Sequence, residues 1–333
     1  MRHRENTMLF KKIAFTLGAA VLLHSGMAHA QWPNKTVTWV VPFAAGGPMD
    51  VVSRPVARKM AEILNVPVIV ENKAGAGGAM GIDYIARATA DGYTIGIGSI
   101  GTQTIVPHIS KSIKYDPITS FSNIGLLGRY TNVLLVNGNS KLRSVSDLTS
   151  MAKQESANVT FGSAGNGSSN HLSGELLRAI TGARMTHVPY RGSAPALTDL
   201  LAGNTTFMFD TLNTTMARIQ NGSLRALAVT SPKRSSFLPD VPTMDEAGIR
   251  GYSSTGGELW WGLVGPKGIP QGVVTKLNKA LNEALNSPDV AQQLRNQYVE
   301  TKTGSPEEFE KMVESSYKNW KKIVVDAKLD EAP

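Results

Sequence analysis

Residues 36–48 read TVTWVVPFAAGGP, and this stretch sets the pattern for the rest of the chain. Its first half is apolar and β-branched, which is typical of a buried strand, and its second half is a run of small residues ending at Pro48. Beyond it, Val52, Val56 and Met60 recur at helical spacing. The stretch therefore predicts a strand, a small-residue loop and a helix.

The same alternation continues along the chain. After the first helix, the pattern predicts a strand at 66–70, a helix at 79–90 and a strand at 93–97 that opens into the loop 98–102. A second series has strands at 132–136, 158–162, 185–188 and 207–210, with helices at 145–154, 172–180 and 194–202. Further strands at 224–230 and 259–264 precede helices at 273–286, 288–297 and 306–327. Strands that alternate with helices through short loops indicate mostly parallel sheets, here in two α/β units.

The N-terminus has the features of a secretory signal peptide. Basic residues precede an apolar run over residues 13–23, and small residues follow at Ala28 and Ala30. A membrane anchor is the alternative, but this run falls short of the ~20 apolar residues that cross a bilayer. We expect cleavage after Ala30, so that residues 1–30 are the leader and the mature chain begins at Gln31 in the periplasm.

Composition excludes several classes of protein. An exported chain without cysteine is not a disulfide scaffold, and 41% hydrophobic content over 333 residues is enough for an apolar core. The leader carries four basic residues and one acidic residue, so the formal charge of +8 falls to +5 after cleavage. The basic residues are scattered and not interleaved with aromatic ones, which argues against nucleic-acid binding. The remaining positive charge is consistent with anionic ligands or with ordinary solvation of the surface.

Two loops rich in glycine and small residues are candidate binding segments, since each follows a predicted strand and opens a predicted helix. They are residues 44–48 and residues 163–171, the second of which reads SAGNGSSNH. Such a loop presents free N–H groups and the positive end of a helix dipole to an anion. Ligands of open α/β sheets lie beyond the carboxyl ends of the strands, so the pair predicts a shared anion-binding cleft. Taken alone, either loop is equally consistent with a tight turn that has no role in binding.

Segments spread from residue 39 to about residue 327 resemble the substrate-binding receptors of tripartite tricarboxylate transporters, the Bug family. The matching segments are 41–50 (VPFAAGGPMD), 70–78 (VENKAGAGG), 90–94 (ADGYT), 163–172 with 174–176, 188–200 (VPYRGSAPALTDL) and 238–243 (LPDVPT). The resemblance implies a type II-like periplasmic binding protein fold, in which crossover strands join two α/β domains around a ligand cleft. It also implies that both loops grip a ligand carboxylate, partly through bound water.

From these patterns we expect domain 1 at 31–130, domain 2 at 131–228, and a return to domain 1 with the C-terminal helices at 229–333. Hinges are expected near 126–135 and 227–230, with the return near Trp260. The expected partners are a small carboxylate and the membrane subunits of a tripartite tricarboxylate-type transporter; we expect a monomer without a cofactor. The candidate ligand-binding residues are Phe43, Ala44, Gly46, Gly47, Asp50, Ser99, Gly101, Thr102, Ser163, Ala164, Gly165, Gly167, Ser168, His171, Arg191 and Asp210.

Several of these side chains also have a structural interpretation. Asp50 could receive a ligand's amino or hydroxyl group or cap a helix, and Asp210 could equally cap a loop. Arg191 could pair with a distal carboxylate or be solvated. His171 is the most tempting catalytic candidate, but it could simply pack or bond to backbone.

Two features depart from the family pattern. Pro55 falls inside the first helix, where proline removes a hydrogen bond, so we expect a kink or a late helix start. Residues 256–261 carry Trp260 and Trp261, which could stack on an aromatic ligand or pack in the core. The ligand therefore stays open between an aliphatic di- or tricarboxylate and an aromatic acid such as terephthalate.

Enzyme motifs are incomplete. Ser99, Ser163 and Ser168 lack the glycine two residues earlier that a nucleophile elbow requires. Residues 96–101 match a dinucleotide fingerprint, but Pro107 cuts short the helix that motif must open. The histidines of the mature chain lack zinc-ligand spacing, and cysteine is absent. A periplasmic enzyme acting on an acyl or amide substrate remains the alternative function.

Overall fold

The computed structural model describes residues 32–110, 113–256 and 259–326, and every element named below lies within Lys35–Pro333. The strands are β1 (Val37–Val41), β2 (Val68–Asn72), β3 (Thr94–Ser99), β4 (Phe121–Tyr130), β5 (Asn132–Asn137), β6 (Thr160–Ser163), β7 (Thr186–Pro189), β8 (Phe207–Thr211), β9 (Leu224–Val229), β10 (Leu259–Pro266) and β11 (Glu300–Thr301). The helices are α1 (Pro48–Leu64), α2 (Ala79–Ala86), α3 (Val106–Ile109), α4 (Val145–Ala152), α5 (Ser169–Thr181), α6 (Ser193–Ala202), α7 (Leu212–Gln220), α8 (Tyr252–Gly256), α9 (Gln271–Asn286), α10 (Pro288–Asn296) and α11 (Pro306–Asp326).

The strands form two sheets. The first has the order β11-β4-β10-β3-β1-β2, and the second has the order β7-β6-β8-β5-β9. In the first sheet, β1 runs parallel to β2 and β3, and the returning strand β10 is antiparallel to β3 and β4. This arrangement confirms the predicted α/β fold with two units.

Both faces of the second sheet are buried. Along β8, Phe207 and Phe209 pack into one apolar cluster, whereas Met208 packs into the cluster on the opposite face. Successive side chains of a strand point to opposite faces, so a strand covered on both sides reads as a continuous apolar run. That is why the sequence pattern identified β5 and β8 correctly.

The chain passes between the sheets at two adjacent points. β4 ends at Tyr130 and β5 begins at Asn132, while β9 leads back toward β10. Thr230 Oγ1 accepts a hydrogen bond from Asn132 N–H at 3.1 Å, and Thr230 N–H donates to the Asn132 carbonyl at 2.9 Å. These positions coincide with the expected hinges; the hinge role and the domain boundaries stay predictions.

Three local expectations differ from the structure. Of the two effects expected at Pro55, a kink or a late helix start, the late start is wrong, because α1 begins at Pro48 and runs past Pro55 to Leu64. Proline suits the first turn of a helix, so Pro48 favours this early start. The helix at 79–90 ends at Ala86. The loop at 98–102 becomes helical from Gly101, with a π-helical turn over Gly101–Ile105 before α3.

The long strand β4 was not predicted. Its sequence contains Gly125 and Gly128, which weaken a strand pattern. A Cβ on Gly125 would lie 2.8 Å from Asn278 Nδ2, and one on Gly128 would lie 2.8 Å from the Glu300 carbonyl oxygen. The backbone contact therefore requires glycine at residue 128, whereas a Cβ at residue 125 would displace the Asn278 side chain.

The expected leader, residues 1–30, and its cleavage site lie outside the described residues. Within the described ranges, no helix combines the length and the apolar character that a membrane span requires.

Candidate functional site

A cavity lies between residues that follow strands of the first sheet and residues that follow strands of the second. It encloses about 550 Å³, counting solvent at its open mouth. Its walls are Phe43, Ala44, Ala45, Gly47, Pro48, Met49, Ser99, Tyr130, Ala164, Ser168, Ser169, Asn170, Gly192, Ser193, Ala194, Pro195, Thr211 and Trp261. Among these described wall residues there is no lysine, arginine, histidine, aspartate or glutamate.

The start of α1 forms one wall. Gly47 is its N-cap and supplies no side-chain cap, so the first-turn N–H groups, including that of Met49, have no side-chain acceptor from the cap. Asp50 is buried and accepts hydrogen bonds from Gly46 N–H at 3.0 Å and from Arg54 Nη2 at 2.7 Å. Asp50 thus fixes the shape of the loop and lies outside the cavity wall.

The pKa of the Asp50 carboxyl reflects this role. Burial acts to raise it, but hydrogen bonds from Arg54, Gly46 and Asn72 outweigh burial and hold the pKa below its ordinary value. Asp50 is therefore ionised at neutral pH, with its charge matched by Arg54 at 2.7 Å.

The start of α6 forms the opposite wall. Its N-cap, Gly192, also lacks a side-chain cap, and Ser193, Ala194 and Pro195 line the cavity behind it. A Cβ on Gly192 would come within 3.5 Å of Ala44 Cβ, so the two uncapped helix ends lie close together. Residues 192–195 were not predicted to be a binding loop, although they also follow a predicted strand and open a predicted helix.

The loop at 163–171 uses most of its polar groups internally. Ser168 caps α5, accepting from His171 N–H at 3.3 Å and donating to the Gly165 carbonyl at 2.7 Å. The N–H of Gly165 donates to Ser163 Oγ at 3.0 Å, and that of Gly167 to His171 Nδ1 at 3.1 Å. Only Ala164 and Ser168 of the predicted residues in this loop line the cavity.

Two histidines lie behind this loop. The rings of His171 and His187 are 4.1 Å apart, and His187 Nε2 lies 2.6 Å from Ser163 Oγ. Burial lowers the pKa of His171, and repulsion from charge on His187 and Arg178 adds to this effect, so that the pKa is about 3. Burial and the positive charge of Arg178 together lower the pKa of His187 to about 4. Both are neutral at physiological pH, and His171 bonds to backbone as its structural interpretation expects.

The paired tryptophans face different surroundings. Trp261 lines the cavity and stacks on Tyr130, with ring centroids 4.0 Å apart and planes 15° from parallel. Trp260 packs edge-on against Phe309 and does not line the cavity. The alternation of side chains along β10 explains the difference.

The remaining candidates have these positions. Phe43, Ala44, Gly47 and Ser99 line the cavity. The cavity wall does not include the candidates Gly46, Gly101, Thr102, Ser163, Gly165, Gly167, Arg191 and Asp210.

Three of these candidates have polar or charged side chains in different surroundings. Thr102 is buried and bonded to Ser99, whereas Arg191 is exposed. Asp210 is fully buried, and burial raises its pKa to about 6 against several hydrogen bonds that lower it. Ala45, Pro48, Ser169 and Asn170 of the wall belong to the two predicted loops, although they were not among the single candidates. The wall residues that lie outside both loops and were not predicted are Met49, Tyr130, Gly192, Ser193, Ala194, Pro195 and Thr211.

The two sides of the cleft also meet at what we call the glycine seam: Gly77 against Asn166, and Gly101 against Gly167. A Cβ on Gly77 would lie 1.6 Å from the Asn166 carbonyl oxygen, and one on Gly101 would lie 2.8 Å from the Gly167 carbonyl oxygen. Backbone therefore contacts backbone here. A side chain at residue 77 or 101 would hold the two sides apart.

Comparisons with known proteins agree with this geometry. The sequence model of the family described as "Tripartite tricarboxylate transporter family receptor" matches residues 52–329. The structure of the periplasmic binding protein BugD is 36% identical, covers 90% of this chain and 99% of its own, and superposes with a TM-score of 0.84. An R. palustris protein solved with adipate is 35% identical, with 89% and 98% coverage and a TM-score of 0.84. MatC from Rhodopseudomonas palustris, solved with malate, is 31% identical, with 88% and 100% coverage and a TM-score of 0.84.

Proposed function

Because the chain belongs to the tripartite tricarboxylate transporter receptor family, we propose that it is an exported receptor that closes over one small carboxylic acid and presents it to the transporter's membrane subunits. In this proposal it acts as a monomer and catalyses no reaction. The leader is removed after Ala30.

The observation that carries the proposal is the pair of uncapped helix ends on the cavity. The N-caps of α1 and α6 are Gly47 and Gly192, and neither supplies a side-chain acceptor to the first turn. Free first-turn N–H groups and the helix dipoles favour an anion at that position. Since no cationic side chain is among the described wall residues, these backbone donors are the natural partners of the carboxylate.

The rest of the acid packs against an apolar surface. The side chains of Phe43, Met49, Pro195 and Trp261 are the apolar part of the cavity wall. A flat ring can stack on Trp261, an aromatic residue of the wall. This surface favours an acid with an apolar or aromatic body, whereas the related R. palustris proteins were solved with adipate and malate.

Closure of the cleft is supported by the glycine seam. The backbones at Gly101 and Gly167 lie so close that a Cβ on Gly101 would be 2.8 Å from the Gly167 carbonyl oxygen, and Asn213 Nδ2 donates to the Pro48 carbonyl across the cleft at 3.3 Å. Such contacts stabilise a closed arrangement, and a ligand that bridges both sides shifts the population toward it. The closed surface is then what the membrane subunits recognise.

An enzyme of acyl or amide chemistry is the second candidate, and the Ser163–His187 contact of 2.6 Å favours it. Against this, Ser163 is fully buried, outside the cavity wall, and its Oγ accepts from Gly165 N–H. Incubating the protein with the acids that bind and with their amides, followed by mass spectrometry, decides between the two functions. Turnover abolished by Ser163→Ala would favour the enzyme.

Ligand binding is tested with mature protein, residues 31–333, in a thermal-shift screen of organic acids and their matched amides. An acid at 100 times its Kd adds about 2.7 kcal/mol to the free energy of unfolding. The expected result is a shift with at least one acid and none with its amide. A broad screen without any shift would contradict the proposal.

The leader is tested separately on protein recovered from the periplasm. Intact mass and N-terminal sequencing are expected to give Gln31 as the first residue. A periplasmic species that retains Met1 would instead show that the segment stays attached.

A further inference from the structure

Asp210, at the end of β8, joins the starts of three helices. Its Oδ1 accepts from Asn170 Nδ2 at 2.8 Å in α5, from Ser193 Oγ at 3.0 Å in α6, and from Thr211 N–H at 2.9 Å. Its Oδ2 accepts from Thr214 Oγ1 at 2.9 Å in α7. Asp210 is fully buried, and three of its partners, Asn170, Ser193 and Thr211, line the cavity. One carboxylate outside the cavity wall therefore orients polar groups within that wall.

The direction of these hydrogen bonds determines what the wall can still offer. An ionised carboxylate only accepts hydrogen bonds, so it takes the single hydroxyl proton of Ser193. Asn170 Nδ2 has two protons, and they go to Asp210 and to the Phe209 carbonyl at 2.7 Å. Ser193 Oγ and Asn170 Oδ1 are thereby left as acceptors.

Other hydroxyl groups on the wall are also committed as donors. Ser168 Oγ donates to the Gly165 carbonyl at 2.7 Å, and Thr211 Oγ1 donates to Asn213 Oδ1. The donors left for a ligand then include the backbone N–H groups at α1 and α6. The cavity thus combines backbone donors with side-chain acceptors, and Ser193 carries one of each.

We infer that the ligand carries a hydrogen-bond donor next to its carboxylate, a hydroxyl or an amino group on carbon 2 or carbon 3, which Ser193 Oγ and Asn170 Oδ1 accept. This inference rests on the proposed carboxylate receptor function and narrows its ligand class. Because the N–H and the Oγ of Ser193 are only a few bonds apart, the ligand's carboxylate and donor must be equally close. Asp210 is a positioning residue, since it acts through Ser193 and Asn170.

The test is calorimetry with three matched sets of acids that differ only at carbon 2. They are malate, aspartate and succinate; lactate, alanine and propionate; mandelate, phenylglycine and phenylacetate. In the set that binds best, the hydroxy or amino acid is expected to bind at least about tenfold more tightly than the unsubstituted acid. A hydroxyl preference and an amino preference are read separately within each set.

Variants identify the residues responsible. Ser193→Ala is expected to reduce the affinity ratio between substituted and unsubstituted acid to below about threefold. Ser169→Ala is the matched control, because Ser169 also lines the cavity but its hydroxyl bonds to Tyr130. It is expected to keep the ratio.

Asp210→Asn separates positioning from charge. The amide keeps one oxygen for the three Oδ1 donors, and its NH₂ can donate to Thr214 Oγ1. A hydroxy acid should therefore keep its advantage, whereas an amino acid should lose part of its own with the negative charge. Asp210→Ala should abolish the advantage in either case.

Two negative outcomes are distinguishable. If acids bind but the substituted and unsubstituted members of each set agree within twofold, the inference is overturned and the receptor function stands. If none of the nine acids binds and the wider acid screen also fails, the receptor function itself is contradicted.

Discussion

At the scale of single residues, Trp260 and Trp261 show how position on a strand decides a role. Both are almost fully buried, at 1% and 2% exposure. Trp260 packs against Phe309 in the interior, whereas Trp261 reaches the cavity wall and stacks on Tyr130. Trp260 therefore belongs to the core packing, whereas Trp261 is placed where it would contact a ligand in the cavity.

Alanine substitutions should separate these roles. Trp261→Ala is expected to weaken the best-binding acid at least about tenfold, because the ligand loses an aromatic surface worth ~0.5–1.5 kcal/mol beyond its buried area. Trp260→Ala should lower the free energy of unfolding by ~3–5 kcal/mol and leave the affinity of the folded protein within twofold. Calorimetry and urea unfolding measure both. Equal losses of affinity in the two variants would contradict the assignment.

At the scale of elements, the starts of helices and the ends of strands position the site. α5 is capped by its own Ser168, whereas α1 and α6 are capped by glycine and face the cavity. The π-helical turn Gly101–Ile105 brings Gly101 against Gly167, where the glycine seam closes. The same elements that leave N–H groups for a ligand therefore also let the two sides meet.

Gly101→Ala tests the glycine seam. Gly101 has an ordinary φ, so alanine fits its backbone, but the new Cβ would lie 2.8 Å from the Gly167 carbonyl oxygen. We expect ligand affinity to fall at least about tenfold and small-angle scattering with ligand to give a larger radius of gyration, since closure is obstructed. Gly272→Ala is the control, because a Cβ there has no neighbour within 4 Å. A Gly101→Ala protein that binds and closes normally would disprove the role of the seam.

At the scale of the whole molecule, buried titratable groups couple stability to pH. The pKa values of His171 and His187 fall from 6.5 to about 3 and about 4, so the unfolded chain binds more protons between those values and 6.5. Each histidine therefore makes no difference to stability above pH 6.5 and destabilises the fold on acidification below it, by ~1.4 kcal/mol per pH unit. The pKa of Asp210 rises from 3.8 to about 6 in the folded protein, so between those values Asp210 increases the free energy of unfolding as the pH falls.

Together, these three groups are expected to contribute a fall in the free energy of unfolding of ~1.4 kcal/mol per pH unit between pH 6 and pH 4, since two histidines outweigh one aspartate. Urea unfolding at pH 7, 6, 5 and 4 measures this slope. His187→Gln should remove about one histidine's share, ~1.4 kcal/mol per unit, because glutamine does not titrate. An unchanged slope in that variant would show that His187 is already protonated in the fold or is exposed.

Local patterns in the sequence determined the two α/β units, most strand and helix positions and the loop at 44–48, because hydrophobic period and helix-start residues depend on near neighbours. Tertiary structure decided which loops face the cavity, which tryptophan lines it, and that Asp210 lies outside its wall. It also decided that α1 tolerates Pro55 and that β4 forms despite its glycines. These outcomes depend on contacts such as Gly77 with Asn166 and Gly101 with Gly167. Residues so far apart in the chain meet only through the tertiary structure, and no local periodicity records that arrangement.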